Sequence, residues 1–447
     1  MPRLSQELGG KLLLHAAGWL LVGNLVGLLL SLLLIFPHWN TLLAPMTYGR
    51  WVPVHLNVQL YGWGTVPLLG VACKLLLSHV PDAVRHRSTS HILMIWSVSL
   101  AFGVVTWLMG VSTGKIFLDW RGPARVVLVA GLVAMWFELF RSWRLRENKD
   151  DILSNWLGMG ILLLLASVPV LMLVATSPST YPPINPSSGG PTGVDLFGST
   201  LAIVPLFMFL PKLLELPTRF RPAWAICGWF YLICLGLFTI MPHADGSHHD
   251  AIQLIAMGIG GLWLPIIAWH LLAFRWEGPM RLWFWGLAGW ASWLMISALV
   301  TFLPGVLGLL KFSNALVAHS HAAMAGMVTA LCMLLLTGMS HLPVLERRAG
   351  WHLISFWCWQ TGCILYVAAF TWLGYQESQL PGLLFREHDQ VTVIYCLRLL
   401  AGSLMLFGTT VWVILALVAM RRPASADLPL KTHDASAPLI DGEQSHA

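Results

Sequence analysis

The chain has 447 residues, of which 57% are hydrophobic and only 10% are charged, and its formal net charge is +6. Such a composition excludes a soluble globular or disordered chain and is typical of a helical membrane protein with many spans. Arginines in the connections between apolar segments account for most of the positive charge, so we predict no nucleic-acid partner.

Long stretches without Lys, Arg, Asp or Glu divide the chain into apolar segments. Because one crossing of a bilayer needs about 20 residues, these segments predict an all-α polytopic membrane protein with about twelve transmembrane helices. Residues 1–422 are predicted to form one integral membrane domain, and the polar segment 423–447 a disordered tail. The predicted helices start near Leu12, Val52, Ile92, Val126, Ile152, Leu196, Pro222, Ala251, Leu282, Asn314, Trp351 and Val391.

Arginine-rich connections occur at every second loop, for example at residues 85–87, 141–149 and 275–281. Since positively charged residues stay on the cytoplasmic side of a membrane, we expect both termini in the cytoplasm and the chain in the inner membrane. No Cys-x-x-Cys-His motif is present, which excludes a covalently attached c-type haem.

With this topology, histidines from three distant parts of the chain lie at one depth near the outer face, whereas unrelated core histidines would be scattered over both faces. For a single histidine at a helix end, an interfacial position is the alternative to ligation. For the histidines of a Gly- and Asp-containing loop, the alternative is plain solvation. The histidines concerned are His55 in the second helix, His243, His248 and His249 in the loop 241–250, and His319 and His321 in the tenth helix.

The triplet His319-Ser320-His321 is the most informative of these patterns. An α-helix turns about 100° per residue, so the two imidazoles point to opposite flanks of the tenth helix and cannot share one metal ion. Imidazole is costly to leave unpaired in hydrocarbon and is a preferred metal ligand. The triplet therefore predicts a helix that separates two haems, with one ligand offered to each side.

These residues resemble subunit I of the haem–copper oxidase superfamily, and in particular its cbb-type branch. Residues 54–64 are similar to the helix-two motif that carries a low-spin haem ligand, and residues 311–326 are similar to the helix-ten motif. Shorter similarities at 209–212 and 356–376 correspond to helices six and eleven. The resemblance extends over most of the twelve helices.

The resemblance implies two non-covalent haems, expected to be of the b type. His55 and His321 would bind the low-spin haem, and His319 would be the proximal ligand of a high-spin haem at which oxygen reacts. Arg386 and Arg398 would pair with haem propionates. Anchoring of the outer helix ends is the alternative for these two arginines.

One part of the family pattern is missing. In the family, a histidine of helix six and a histidine pair after helix seven hold a copper ion opposite the high-spin haem, but residues 195–200 contain no histidine here. The possible copper ligands are His243, His248 and His249, all from one loop. Two imidazoles would leave copper under-coordinated, so the sequence leaves the copper site open.

Our leading hypothesis is the core subunit of a cytochrome c oxidase-like terminal oxidase, an enzyme that passes electrons through the low-spin haem to the high-spin haem and oxygen. A c-type cytochrome or a quinol would donate the electrons, and further membrane or periplasmic subunits would be partners. Two alternatives remain: nitric oxide reduction at the same site, and a dihaem paralogue without the second metal that acts in electron transfer or gas sensing.

Overall fold

The computed structural model describes residues 4–147, 152–180, 193–241, 249–310, 313–340, 342–380, 382–386 and 388–421. The predicted tail 423–447 lies outside these ranges. In the described ranges the secondary structure is helical apart from two isolated bridges, Leu4 with Ser340 and Thr218 with Phe274.

Twelve long helices follow one another along the described chain. Eleven of them are long and apolar enough to cross a membrane, and the twelfth, of 17 residues, is shorter. Four short helices connect them: Trp39–Leu42, Val306–Leu310, Pro343–Arg347 and Leu383–Arg386. The long helices are α1 (Gln6–Ile35), α2 (Tyr48–Leu77), α3 (Asp82–Leu108), α4 (Pro123–Trp143), α5 (Ile152–Ala175), α6 (Gly193–Leu213), α7 (Trp224–Ile240), α8 (Ala251–Leu272), α9 (Gly278–Thr301), α10 (Asn314–Met339), α11 (Ala349–Gln379) and α12 (His388–Arg421).

Several helices begin earlier than the sequence predicts. Helix α3 begins at Asp82 rather than near Ile92, α2 at Tyr48 rather than near Val52, and α9 at Gly278 rather than near Leu282. Hydropathy marks where a helix enters hydrocarbon, whereas its backbone hydrogen bonds continue through the polar interface. In α3 the first turn is charged, and Arg85 is paired there with Asp82.

Helix α10 lies at the centre of the bundle. In its most apolar stretch 72% of the residues are buried, against 17% in α5. One flank of α10 faces α1, α2, α11 and α12, and the other faces α6, α8 and α9. A helix in this position can present side chains to two separate compartments.

Helices α2 and α10 each contain a π-helical segment, at Val58–Gly64 and at Ala322–Val328. Each segment begins one to three residues after a candidate histidine, His55 or His321. Such wide turns are uncommon and occur frequently at functional sites. Within the first segment the indole N–H of Trp63 donates at 2.9 Å to Oγ1 of Thr329, the residue after the second segment, and this hydrogen bond connects α2 to α10.

Candidate functional site

His55 of α2 lies against α1. Its Nδ1 is 2.8 Å from the carbonyl oxygen of Gly23. Gly27 of α1 leaves room for the ring, because a Cβ at that position would be 2.8 Å from His55 Cε1. A carbonyl oxygen can only accept, so Nδ1 carries the proton and Nε2 of the neutral ring keeps its lone pair.

His321 of α10 has the same arrangement by a different route. Its Nδ1 is 2.8 Å from the carbonyl oxygen of Val317, one turn earlier in the same helix. This contact again assigns the proton to Nδ1 and leaves a lone pair on Nε2. A hydrogen bond from the second ring nitrogen to a carbonyl is the usual way in which a metal-binding imidazole is oriented.

The two rings face one another. Their centroids are 6.4 Å apart and their planes differ by 24°. Two metal–nitrogen bonds of about 2 Å each, together with roughly 1.2 Å from each ring centre to its nitrogen, span a separation of this size. Both rings line a narrow slot of about 70 Å³ bounded by α1, α2, α10, α11 and α12. The pair therefore fits one six-coordinate metal centre.

Tyr366 and Arg398 form the wall behind His321. The ring of Tyr366 is stacked on the imidazole with centroids 3.9 Å apart and planes 19° apart. The guanidinium of Arg398 lies 5.9 Å from the Tyr366 ring and 5.6 Å from the Phe370 ring, and Arg398 lines the slot. It gives the slot a cation that suits a carboxylate. Tyr366 Oη is buried and has no hydrogen-bond partner among the described residues.

His319 lines a different cavity, of about 430 Å³, on the other flank of α10. Its Nδ1 is 3.2 Å from Ser297 Oγ, and that hydroxyl donates to the carbonyl of Leu294 at 3.1 Å. Since the only hydroxyl proton of Ser297 is used on the carbonyl, Nδ1 of His319 donates to Ser297 and Nε2 again keeps its lone pair. The walls are mainly apolar, with the hydroxyls of Ser199, Thr200 and Ser292 as polar exceptions.

Comparison with known proteins shows which chains and which fold this protein resembles. No family model matches the chain. It is 20% identical to the cytochrome c oxidase subunit 1 homolog of Azorhizobium caulinodans (89% of this chain, 79% of the relative) and 22% identical to that of Agrobacterium tumefaciens (88% and 79%). It is also 21% identical to the cbb3-type cytochrome c oxidase subunit CcoN1 of Stutzerimonas stutzeri (84% of each chain). A haem–copper terminal oxidase dimer has the same fold, with a TM-score of 0.51 at 10% identity over 93% of this chain and 84% of that one.

The chain is thus similar to cytochrome c oxidase subunit I homologues over most of its length, and it shares its fold with a haem–copper terminal oxidase. Its curated relatives include a member of the cbb3 branch, in agreement with the resemblance of helices two and ten. The all-α bundle of about twelve spans predicted from the sequence is confirmed.

A copper site of the kind expected from the family resemblance cannot be built from the described residues. His243 and His248 lie outside them, and His249 is exposed in the turn before α8 and does not line the cavity of His319. Apart from His319, none of the described residues that line this cavity is a His, Cys, Asp or Glu. Likewise, the described chain contains no group of three such residues placed to hold a metal ion. The described lining therefore does not fit a copper ion.

The two predicted arginines differ in what the structure describes. Arg398 lies in the slot, in reach of a group held between His55 and His321. The side chain of Arg386, in the short helix before α12, lies outside the described residues.

A buried carboxylate near His55 was missed by the sequence analysis. Asp119, in the connection between α3 and α4, is 3% exposed. Its Oδ2 accepts from Asn57 Nδ2 at 3.0 Å, and its Oδ1 from the backbone N–H of Gly114 at 3.1 Å. Burial raises the pKa of Asp119, and the two hydrogen bonds only partly oppose this effect. Since Asn57 is two residues from His55 on α2, this carboxylate stiffens the segment that carries the imidazole.

Proposed function

We propose that this subunit I homologue is the electron-transferring core of a cytochrome c oxidase-like respiratory enzyme that holds two haems. A low-spin haem would lie in the slot between His55 and His321, and a high-spin haem would be held by His319. The approach of His55 and His321 carries the proposal, because two half-buried imidazoles with Nε2 lone pairs and ring centroids 6.4 Å apart would be a suitable donor set for a six-coordinate haem iron.

The protein's part on the low-spin side is to hold the two rings. The carbonyls of Gly23 and Val317 orient them and keep Nε2 unprotonated. Tyr366 blocks rotation of His321 by stacking on its face. Arg398 would bind a propionate, since it is the cation that lines the slot among the described residues. Bound there, the haem supplies one-electron transfer.

On the other flank, His319 would hold the second haem beside a cavity that would admit a small substrate, which we propose to be oxygen. Ser297 fixes the ring so that Nε2 is the donor. The mainly apolar walls exclude water and admit an uncharged gas. We assign no step to copper, because the described residues provide no ligands for it.

The same observation favours one second candidate. A cavity beside His319 with no further metal ligand in its described lining also suits a dihaem paralogue that binds a gas or transfers electrons without a binuclear centre.

We further propose that the chain lies in the inner membrane with both termini in the cytoplasm, supported by the arginines of alternate loops. The electron donor would be a c-type cytochrome or a quinol.

Two ligand variants test the assignment. In His319→Ala we expect loss of the carbon monoxide-binding haem with the low-spin bands retained, and in His321→Ala loss of the low-spin bands. His15→Ala is the matched control, because His15 binds Ser97 and lines neither cavity. The measurement is the reduced-minus-oxidised and carbon monoxide difference spectrum of purified protein. Loss of the same haem in both ligand variants, or no haem in the wild type, would refute the proposal.

Metal content then separates the two candidates. Iron and copper are measured per purified chain together with oxygen consumption. Two irons and one copper with oxygen reduction support the oxidase, while two irons without copper or oxygen reduction support the dihaem paralogue.

A further inference from the structure

A large groove on the membrane-facing surface lies between α9 and α11; it is separate from the slot of His55 and His321, and Trp285 stands between it and the cavity of His319. It measures about 1110 Å³ and is almost entirely apolar. Its walls carry half-exposed aromatic side chains, including Trp285, Trp293, Trp357 and Trp372. We call it the α9–α11 groove. Flat aromatic walls of this kind favour a planar ring as the occupant.

One polar group in the groove has no partner. Gln360 of α11 lines the groove and is 6% exposed. Its Oε1 accepts from Trp290 Nε1 at 2.6 Å, and because an indole N–H can only donate, the orientation of the amide is fixed. The Nε2 donor therefore points away from Trp290, and it has no hydrogen-bond partner in the described part of the chain. A buried donor without an acceptor costs about 1–3 kcal/mol.

Two glycines of α9 form a notch in front of this donor. A Cβ at Gly286 would lie 3.0 Å from Gln360 Nε2, so the amide nitrogen packs against α9 at this glycine. A Cβ at Gly289 would meet nothing within 4 Å, so the space beside it is open. Both glycines line the groove. An acceptor that enters the notch would satisfy the donor.

The depth of Gln360 limits what can bring this acceptor. Gln360 is twelve residues beyond Arg348, which at 1.5 Å per residue is about 18 Å along α11. The hydrocarbon core is about 30 Å thick, so the amide lies well inside it. The ester oxygens of a phospholipid stay at the interface, whereas a quinone carries its carbonyl oxygens on an apolar ring that enters hydrocarbon.

We propose that the α9–α11 groove binds a prenylated quinone, with a ring carbonyl accepting from Gln360 Nε2 and the tail lying along the apolar wall. The indole of Trp290 separates the groove from α10, since a Cβ at Gly326 would be 2.5 Å from that ring. The site is therefore one side chain away from the helix that carries His319 and His321. The proposal concerns quinone binding only, and its test does not depend on the haem assignments.

The test measures, by equilibrium dialysis, the binding of a decyl-tailed benzoquinone to the purified full chain in lipid nanodiscs. Decylbenzene, which has the same shape but no carbonyls, is the comparison ligand. We expect Gln360→Met to weaken quinone binding about threefold to tenfold, the worth of one net hydrogen bond, with no effect on decylbenzene. Gly289→Leu, which fills open space, should weaken both ligands more than tenfold.

The matched control for the filled groove is Gly160→Leu, at a helical glycine of α5 that also has nothing within 4 Å. It should bind as the wild type does. Three results would overturn the proposal: no saturable quinone binding to the wild type, unchanged binding in Gly289→Leu, or an equal effect of Gln360→Met on both ligands. Phospholipid that competes fully with quinone in the wild type would assign the groove to lipid and would also overturn it.

Discussion

Replacement of Gly27 by alanine should disturb one haem without touching any ligand. A Cβ at Gly27 would lie 2.8 Å from Cε1 and 3.2 Å from Nδ1 of His55, while ordinary contacts begin near 3.4 Å. The imidazole would have to withdraw by about 0.6 Å, which exceeds the roughly 0.5 Å tolerance of a preorganised site. Since Nδ1 is held by Gly23 O at 2.8 Å, the movement also weakens this hydrogen bond.

The expected change in stability is small, because two effects oppose one another. A weakened hydrogen bond costs about 1 kcal/mol, and Gly to Ala inside a helix gains about 1 kcal/mol. The effect should therefore appear in the low-spin haem and hardly in the free energy of unfolding. We expect a shifted or diminished low-spin band in the reduced-minus-oxidised spectrum and an unchanged carbon monoxide difference spectrum.

Gly18→Ala on the same helix is the control, because a Cβ there would meet nothing within 4 Å. It should leave both spectra unchanged and stabilise the protein by about 1 kcal/mol relative to Gly27→Ala. An unaltered low-spin band in Gly27→Ala, or loss of the carbon monoxide-binding haem instead, would refute the placement of His55 on the low-spin haem.

Two further predictions concern buried charges. The raised pKa of Asp119 means that the folded chain holds this proton more tightly than the unfolded chain does, so the resulting stability is present at low pH and declines as pH rises from about 4 through the folded pKa. Thermal unfolding between pH 4 and 8 should show this decline, and Asp119→Asn should lessen the decline. An equal slope of stability against pH in both proteins would contradict this prediction. Lys74 is buried and pairs with the half-exposed Glu215 at 3.1 Å. Because Glu215→Gln leaves a buried cation without its counter-charge, this variant should lower the unfolding midpoint more than Lys74→Met does. The reverse order in thermal melts would show that the pair is not what holds α2 to the end of α6.

The relation between the candidate histidines follows from two rules that need only the sequence, one for a single helix and one for the alternation of spans. The 100° turn per residue separates His319 from His321, and the alternation of spans brings His55 to the same depth as both. In the structure His321 faces His55 and His319 lines the other cavity. Their roles as haem ligands stay a prediction.

Features that depend on how distant helices approach each other could not be read from the sequence. Gly27 is one of several glycines in α1, and only its contact with His55 distinguishes it. Tyr366 lies in the segment of α11 that resembles the family, but its stacking on His321 depends on the packing of α11 against α10. Asp119 lies between two spans, where a charge in the sequence indicates topology and does not reveal whether its side chain is buried.

The two flanks of α10 differ chemically in a way that the His-Ser-His spacing alone does not dictate. On the slot side, His321 is opposed by a second imidazole and accompanied by Arg398, so a metal ion held there would be bound by two imidazoles. On the cavity side, the described walls offer His319 no opposing ligand, and the space is several times larger. A group held by one imidazole beside an apolar cavity keeps a position open for a substrate, whereas a group clamped by two imidazoles can only pass electrons. The contrast between the two flanks comes from α1 and α2 on one side of α10 and from α6, α8 and α9 on the other.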